Sequence, residues 1–302
     1  MASTPVTLRP ISFGEILDGT FTLYRRYFLL FIGIAALPHA VWLTAQLLPQ
    51  AMSGAGGSPL AVAASGLGMF GLLILVYFPL LFFSAGANCY AVSEIYLGRT
   101  TAVTGAYRAV KPAFWGLVGT ALLVGLAVGL TGGVLAFVGI MLVATKSSPA
   151  ILMGILVFLL GTGIALLLLL RYSLISPVVV LEQESGAGAM RRSAFLLKKN
   201  LLRTAGIYLV FTLISLVAAG VFQTPFFILT ALKAARQAPV PPSYGALYNF
   251  AAAISSTLVA PLFYIGITLL YYDIRVRKEA FDLQMMASLI RRPSPTQGAT
   301  PP

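Results

Sequence analysis

Charge is what this sequence has least of. Aspartate, glutamate, lysine and arginine make up 9% of its 302 residues, whereas a water-soluble domain carries about 25%. That scarcity excludes a soluble globular fold, because 59% of the residues are hydrophobic and too little polar surface remains to cover them. Histidine and cysteine are almost missing as well, with one of each. The lone His39 cannot supply a zinc constellation. The lone Cys89 can form neither an intramolecular disulfide nor a CxxC site, and in an apolar run it reads as a small core residue. There is also no GxSxG elbow, no P-loop and no GxGxxG after a strand. No catalytic residue, cofactor or metal is therefore expected, and the chain is not expected to be an enzyme.

What the sequence does have is long apolar runs. Six of them, residues 27–48, 67–92, 114–145, 151–180, 204–232 and 250–272, approach or exceed the length needed for a hydrocarbon core. That core is about 30 Å thick, and a helix rises about 1.5 Å per residue. The first 26 residues are polar or amphipathic, so no cleaved leader is expected and the first span should be retained as an anchor. The net charge of +12 comes from cations at the ends of the runs and not from a soluble basic domain. Anionic lipid headgroups, not nucleic acid, are the expected partners. The loops after the first, third and fifth runs contain only Lys146, Lys233 and Arg236. By the positive-inside rule both termini should be cytoplasmic, in a bacterial plasma (inner) membrane.

The runs also repeat. With an offset of 86, Gly19, Arg25, Phe28 and Gly33 match Gly105, Lys111, Phe114 and Gly119. GAYR at 105–108 is echoed by GAMR at 188–191, and after an insertion of about one helical turn Lys198 and Gly206 match Lys111 and Gly119. Each even-numbered run leads into an acid, Glu94, Glu182 and Asp273 in turn. The expected fold is thus an all-α integral membrane domain of six transmembrane helices over 1–292. It is built of three tandem two-span units, about 12–98, 99–184 and 185–292, each preceded by a cytoplasmic interfacial amphipathic helix, with a disordered tail at 293–302. Ser12 and Glu15 form an S-x-x-E capping box, which starts the first such helix with Ile16, Leu17, Phe21 and Tyr24 on one face. A last amphipathic stretch places Val276, Ala280, Leu283, Ala287 and Ile290 on one face.

Ionisable and polar groups at membrane depth are the natural candidates for function. Arg171 follows five leucines and is positioned to pair with an acid, bind a lipid phosphate or snorkel to the interface, pairing or snorkelling being preferred. Asn88 and Glu94, six residues apart, fall on roughly opposite helix faces and are not one ligand pair. Glu15 and Asp18 share a face at i, i+3, which suits a cation, but the capping box accounts for Glu15 without one. Glu94, Glu182 and Asp273 are further polar or headgroup contacts. Ala121, Gly125, Gly129 and Gly133 recur every four residues, a small-residue face for close helix packing. Pro79, Pro177 and Pro261 interrupt the even runs and can free carbonyls toward a cavity.

The stretches RPISFGEILDGTFTLYRRYF, AVSEIYLGR, RYSLISPVVVLEQ and LYYDIRVRKEAFDL together resemble bacterial proteins of the glycerophosphoryl diester phosphodiesterase membrane-domain-like group, over nearly the whole chain. The resemblance implies a membrane region of a kind that is elsewhere joined to a catalytic barrel. Such a barrel needs about 250 residues, and no soluble segment of that size is present here, so the resemblance implies no phosphodiesterase activity. The leading expectation is a non-catalytic lipid-interacting or partner-scaffolding membrane module, with a membrane protein as a second class of partner. The alternative is a transporter or channel component, with Arg171, Asn88 and the proline-interrupted spans around a pathway. Against it, the acids sit at span ends and not at the midplane, where coupling sites lie. A third reading, an enzyme acting on lipid headgroups, requires Glu15, Asp18 and the interfacial acids to converge in one cleft.

Overall fold

Ser12 opens the first helix. Its hydroxyl accepts from the Glu15 N–H at 3.2 Å while the Glu15 carboxylate accepts from the Ser12 N–H, so both arms of the capping box close. The resulting helix, α1 (Phe13–Arg26), is separated by Tyr27 alone from α2 (Phe28–Gly54). The structure, a computed structural model, describes residues 10–54, 66–69, 71, 73–237 and 242–279. The tail and most of the last amphipathic stretch, from residue 280 onward, lie outside these.

A π-helical turn at Leu73–Tyr77 leads into α3 (Phe78–Tyr96). Next come α4 (Val103–Val110), α5 (Phe114–Val128) and α6 (Val134–Ala144), joined by a 3-10 turn at Lys111–Ala113 and a π turn at Gly129–Gly133. They are followed by α7 (Ser148–Arg171), α8 (Ile175–Leu181), α9 (Gly186–Leu197), α10 (Leu201–Ala235) and α11 (Pro242–Glu279). Among the described residues every regular element is helical. Six helical stretches are long and apolar enough to cross a membrane: Phe28–Leu47, Leu75–Tyr96, Val103–Ala144, Ser148–Leu181, Leu201–Ala235 and Tyr244–Glu279. The chain is a multi-pass helical membrane protein. Short helices α1 and α9 stand immediately before the first and fifth spans, and α4 forms the start of the third.

Three spans differ from the expected runs. The third, expected from residue 114, begins at Val103 and takes in α4, expected as a separate helix before it. The fourth is not one helix: it breaks after Arg171 and resumes at Ile175. Pro177 has no N–H for the carbonyl of Ser173, four residues earlier, so an unbroken ladder is impossible there. The sixth runs past Tyr272 to Glu279, carrying Asp273, Arg275, Arg277 and Lys278 within the helix.

Burial makes α11 the hub. Of the span windows, 61% of the sixth is buried, against 11% for each of the third, fourth and fifth. It packs on α1, α2, α3, α9 and α10, with Ile265, Leu270, Tyr271 and Ile274 fully buried. Spans three and four instead lie against each other as a peripheral hairpin, their outer leucines exposed where lipid would cover them.

That hairpin corrects the register of the small-residue face. A Cβ on Gly125 or Gly129 would meet nothing within 4 Å, so those glycines are not the packing surface. Contact runs one notch round the helix. A Cβ on Gly132 would fall 2.6 Å from the Gly161 carbonyl, and one on Gly139 would fall 2.5 Å from the Phe158 nitrogen and 2.7 Å from the Gly154 carbonyl. Glycines seven apart on one helix thus meet glycines seven apart on the other, backbone to backbone. Gly139→Leu is expected to destabilise the protein by about 1–3 kcal/mol through overpacking, whereas Gly125→Ala should leave the detergent thermal transition unmoved. Equal transitions for the two variants would contradict this register.

Candidate functional site

In the apolar interior no water is at hand to complete a hydrogen bond, so the proline sites need side-chain partners. Pro38 cannot donate to the carbonyl of Ile34, four residues earlier. That carbonyl instead accepts from Tyr107 Oη of α4 at 2.6 Å and Ser84 Oγ of α3 at 3.1 Å, so three elements meet on one backbone oxygen. Asn88, one turn beyond Ser84 and fully buried, donates to the Ser84 carbonyl at 2.9 Å, and its Oδ1 has no protein partner. In α11, Tyr24 donates to the carbonyl of Leu258, three residues before Pro261, at 2.7 Å. Burial pushes the Tyr24 hydroxyl pKa up to about 12, which keeps it a neutral donor.

The break in the fourth span is bridged by one hydroxyl. Ser193 of α9, fully buried, donates to the Arg171 carbonyl at 3.0 Å and accepts from the Leu174 N–H at 3.3 Å, one group from each side of the gap. Thr120 does the same between α5 and α9, donating to the Gly116 carbonyl at 2.6 Å and accepting from Gly186 N–H at 2.7 Å. Gly186 has φ +59°, the left-handed region that favours glycine, and it starts α9.

Charge gathers at the end of the bundle where α8, α9, α11 and the residues before α1 meet. Asp273, its side chain fully buried, accepts from the Ile11 N–H at 2.8 Å, from Arg203 Nη1 and from Arg277 Nε at 3.0 Å. The same two arginines donate to the Ile11 carbonyl at 2.6 and 2.7 Å. A second group lies beside it. Glu182 accepts from Arg192 Nε at 2.6 Å and from Tyr271 Oη at 2.7 Å, and Arg192 also binds Glu279. Arg275 joins Glu279 at 3.1 Å and Tyr271 Oη at 3.2 Å. The hydrogen bond to Glu279, followed by the contact with Glu182, raises the Arg192 pKa above its usual value and keeps the cation charged. Glu182 and Asp273 are therefore brought close by α11 but serve separate arginine clusters.

The other expected residues are dispersed. Glu94 pairs with Arg99 at 3.3 Å. Glu15 is held in its capping box, and Asp18 lines a shallow cavity with Phe21, Thr22 and Arg25. His39 is buried with Nδ1 2.8 Å from the Ala35 carbonyl. Among the described residues no group of three or more His, Cys, Asp or Glu side chains could hold a metal ion.

Arg171 stands apart from all the acids. It lines a cavity of about 380 Å³ with Arg191, Lys198, Tyr172, Met190 and Phe195. The three cations are exposed, and among the described residues none has an ion pair. Helix geometry explains the grouping. Arg191 is on the outer face of α9 and Lys198 caps its C-terminal end, while the adjacent Arg192 points inward to Glu182. Arg191 and Lys198 were not singled out in the sequence; GAMR and the Lys111–Lys198 match marked the segment but not which of two neighbouring arginines faces out.

Among known families, the one described as Domain of unknown function (DUF7847) has a model that matches residues 25–274. No curated protein and no solved structure matches the chain.

The buried clusters and the cationic cavity should respond differently to mutation. Asp273→Ala leaves two arginines facing an apolar wall and should cost about 3–5 kcal/mol, and Ser193→Ala, which orphans two backbone groups, about 1–3 kcal/mol. Arg171→Ala should stay within about 0.5 kcal/mol of the parent, as an exposed position does. Denaturation of the purified protein in detergent measures all three, and a Ser193→Ala variant as stable as Arg171→Ala would contradict the bridging role.

Proposed function

The chain belongs to the DUF7847 family, and we propose that it is a non-catalytic membrane module whose polar end holds the phosphate of an anionic lipid between Arg171, Arg191 and Lys198. The carrying observation is the composition of that cavity: three exposed cations, no neutralising acid, and the apolar Met190 and exposed Phe195 beside them. Guanidinium forks match phosphate oxygens, and cations without an acidic partner are free to take an anionic headgroup. The cavity sits at the break between α7 and α8, where a span meets the short helix α9. That is the depth of a headgroup if α1, α4 and α9 lie in the interface.

The same reading takes the three short helices as the starts of three tandem two-span units, and takes both termini as cytoplasmic in a bacterial inner membrane. The sparse cations after the odd spans support that orientation. The motif resemblance to the glycerophosphoryl diester phosphodiesterase membrane-domain-like group fits a membrane role without the barrel's chemistry. The exposed hairpin of spans three and four offers an apolar flank to lipid or to a membrane partner.

Native mass spectrometry of the detergent-solubilised protein with phosphatidylglycerol and phosphatidylcholine tests the proposal. Each cation near an anionic lipid surface contributes about 1 kcal/mol, so Arg171→Ala/Arg191→Ala/Lys198→Ala should lower the preference for phosphatidylglycerol on the order of 10²-fold. An unchanged preference would overturn the assignment.

A further inference from the structure

Tyr172 is shared by two cavities. One is the cationic cavity just described. The other, about 460 Å³, lies between α3, α5, α8, α10 and α11 and opens outward at the exposed Gly125 and Gly129; its volume is within the range of about 300–1,000 Å³ typical of ligand sites. Its walls are apolar over most of their area: Phe78 and Phe82 from α3, Val124 and Val128 from α5, and Phe263 and Ile267 from α11. Gly125 and Gly129 line it too. These are the glycines whose missing side chains no other helix fills. Tyr172 and Ser173, in the break between α7 and α8, and Ser176 at the start of α8 line it as well, with Tyr208 and Tyr264.

We propose that the anionic lipid held at Arg171, Arg191 and Lys198 threads one acyl chain past Tyr172 into this cavity. The inference rests on the headgroup reading and adds to it what the site selects, a phosphate with an apolar chain attached. Three considerations favour a chain over other occupants. Walls apolar over most of their area leave most of the cavity without the two to four polar partners that each water requires. A partner helix has a diameter of about 10–12 Å with side chains and does not fit among five packed helices. In a bilayer the apolar material at hand is the acyl chain, and the adjoining cations fix where its phosphate must sit. The break at Tyr172–Leu174 is what lets the two compartments meet, since an unbroken span would wall one from the other.

The full chain in detergent is tested with dioleoyl-phosphatidylglycerol, with dihexanoyl-phosphatidylglycerol, and with a phosphatidylglycerol carrying a diazirine near the end of one acyl chain. The parent protein should bind the dioleoyl lipid more tightly than the dihexanoyl one, and illumination should cross-link the diazirine to peptides containing Phe82 or Phe263. Gly125→Leu/Gly129→Leu fills the cavity from its open side. It should lose the cross-link and at least about tenfold in dioleoyl affinity, as expected for several methylenes returned to micelle or bilayer, while keeping dihexanoyl binding. If that variant does not fold, the cross-link position in the parent protein decides alone. Cross-links confined to the outward residues Leu152 and Phe158 of α7, or equal affinity for the two lipids, would overturn the inference and leave the headgroup reading standing. Failure of the parent protein to prefer either phosphatidylglycerol over phosphatidylcholine would remove the headgroup reading and this inference together.

Discussion

Inside a hydrocarbon layer a backbone carbonyl without a donor has no water to turn to, and this fold is arranged around the places where its own prolines create such carbonyls. Pro38 frees the Ile34 oxygen, and two hydroxyls from α3 and α4 converge on it. The fourth span breaks just before Pro177, and Ser193 spans the gap. In each case the defect in one helix becomes a specific attachment for another. Packing between featureless apolar faces would leave helix positions poorly determined, whereas a carbonyl that must meet a particular hydroxyl fixes a register.

Charge is handled by the same economy. Few ionisable groups are present, and those at the bundle end are shared among several partners, as Asp273 is among Arg203, Arg277 and the Ile11 N–H. A buried ion group of this kind adds specificity more than stability, because desolvation consumes much of the Coulomb attraction. Its members come from residues as far apart as Ile11 and Arg277, so it ties both ends of the described chain to one helix. The cations left over are exposed, and neighbouring Arg191 and Arg192 divide the two duties by pointing to opposite sides of α9.

Legibility in the sequence followed how local each feature is. Span number came from run length alone, and the Ser12–Glu15 cap from a four-residue pattern. The acids at the ends of the even spans were visible as positions, but their arginine partners were not, because Arg203 reaches Asp273 across 70 residues and Arg192 reaches Glu279 across 87. The small-residue face was misplaced for a related reason. Glycines four apart looked like a packing stripe, yet the partner helix touches Gly132 and Gly139, a choice set by the facing Gly154 and Gly161 and absent from the third span itself. Arg171 was recognisable as an unusual charge; its grouping with Arg191 and Lys198 depends on a helix break that Pro177 signals only once the ladder is traced back four residues.

The burial of α11 also sets an order of events. The span that contacts α1, α2, α3, α9 and α10 is the sixth to be synthesised. Until it enters the membrane, Ser93 lacks the Tyr272 hydroxyl, Glu182 lacks Tyr271, and Arg203 lacks Asp273. Spans three and four, by contrast, carry their glycine contacts within one hairpin, and what they await from later in the chain is α9, whose Gly186 and Ser193 bond Thr120 and the gap between Arg171 and Leu174. The last span therefore completes hydrogen bonds and ion pairs that the earlier helices leave open, so its arrival fixes their positions relative to one another.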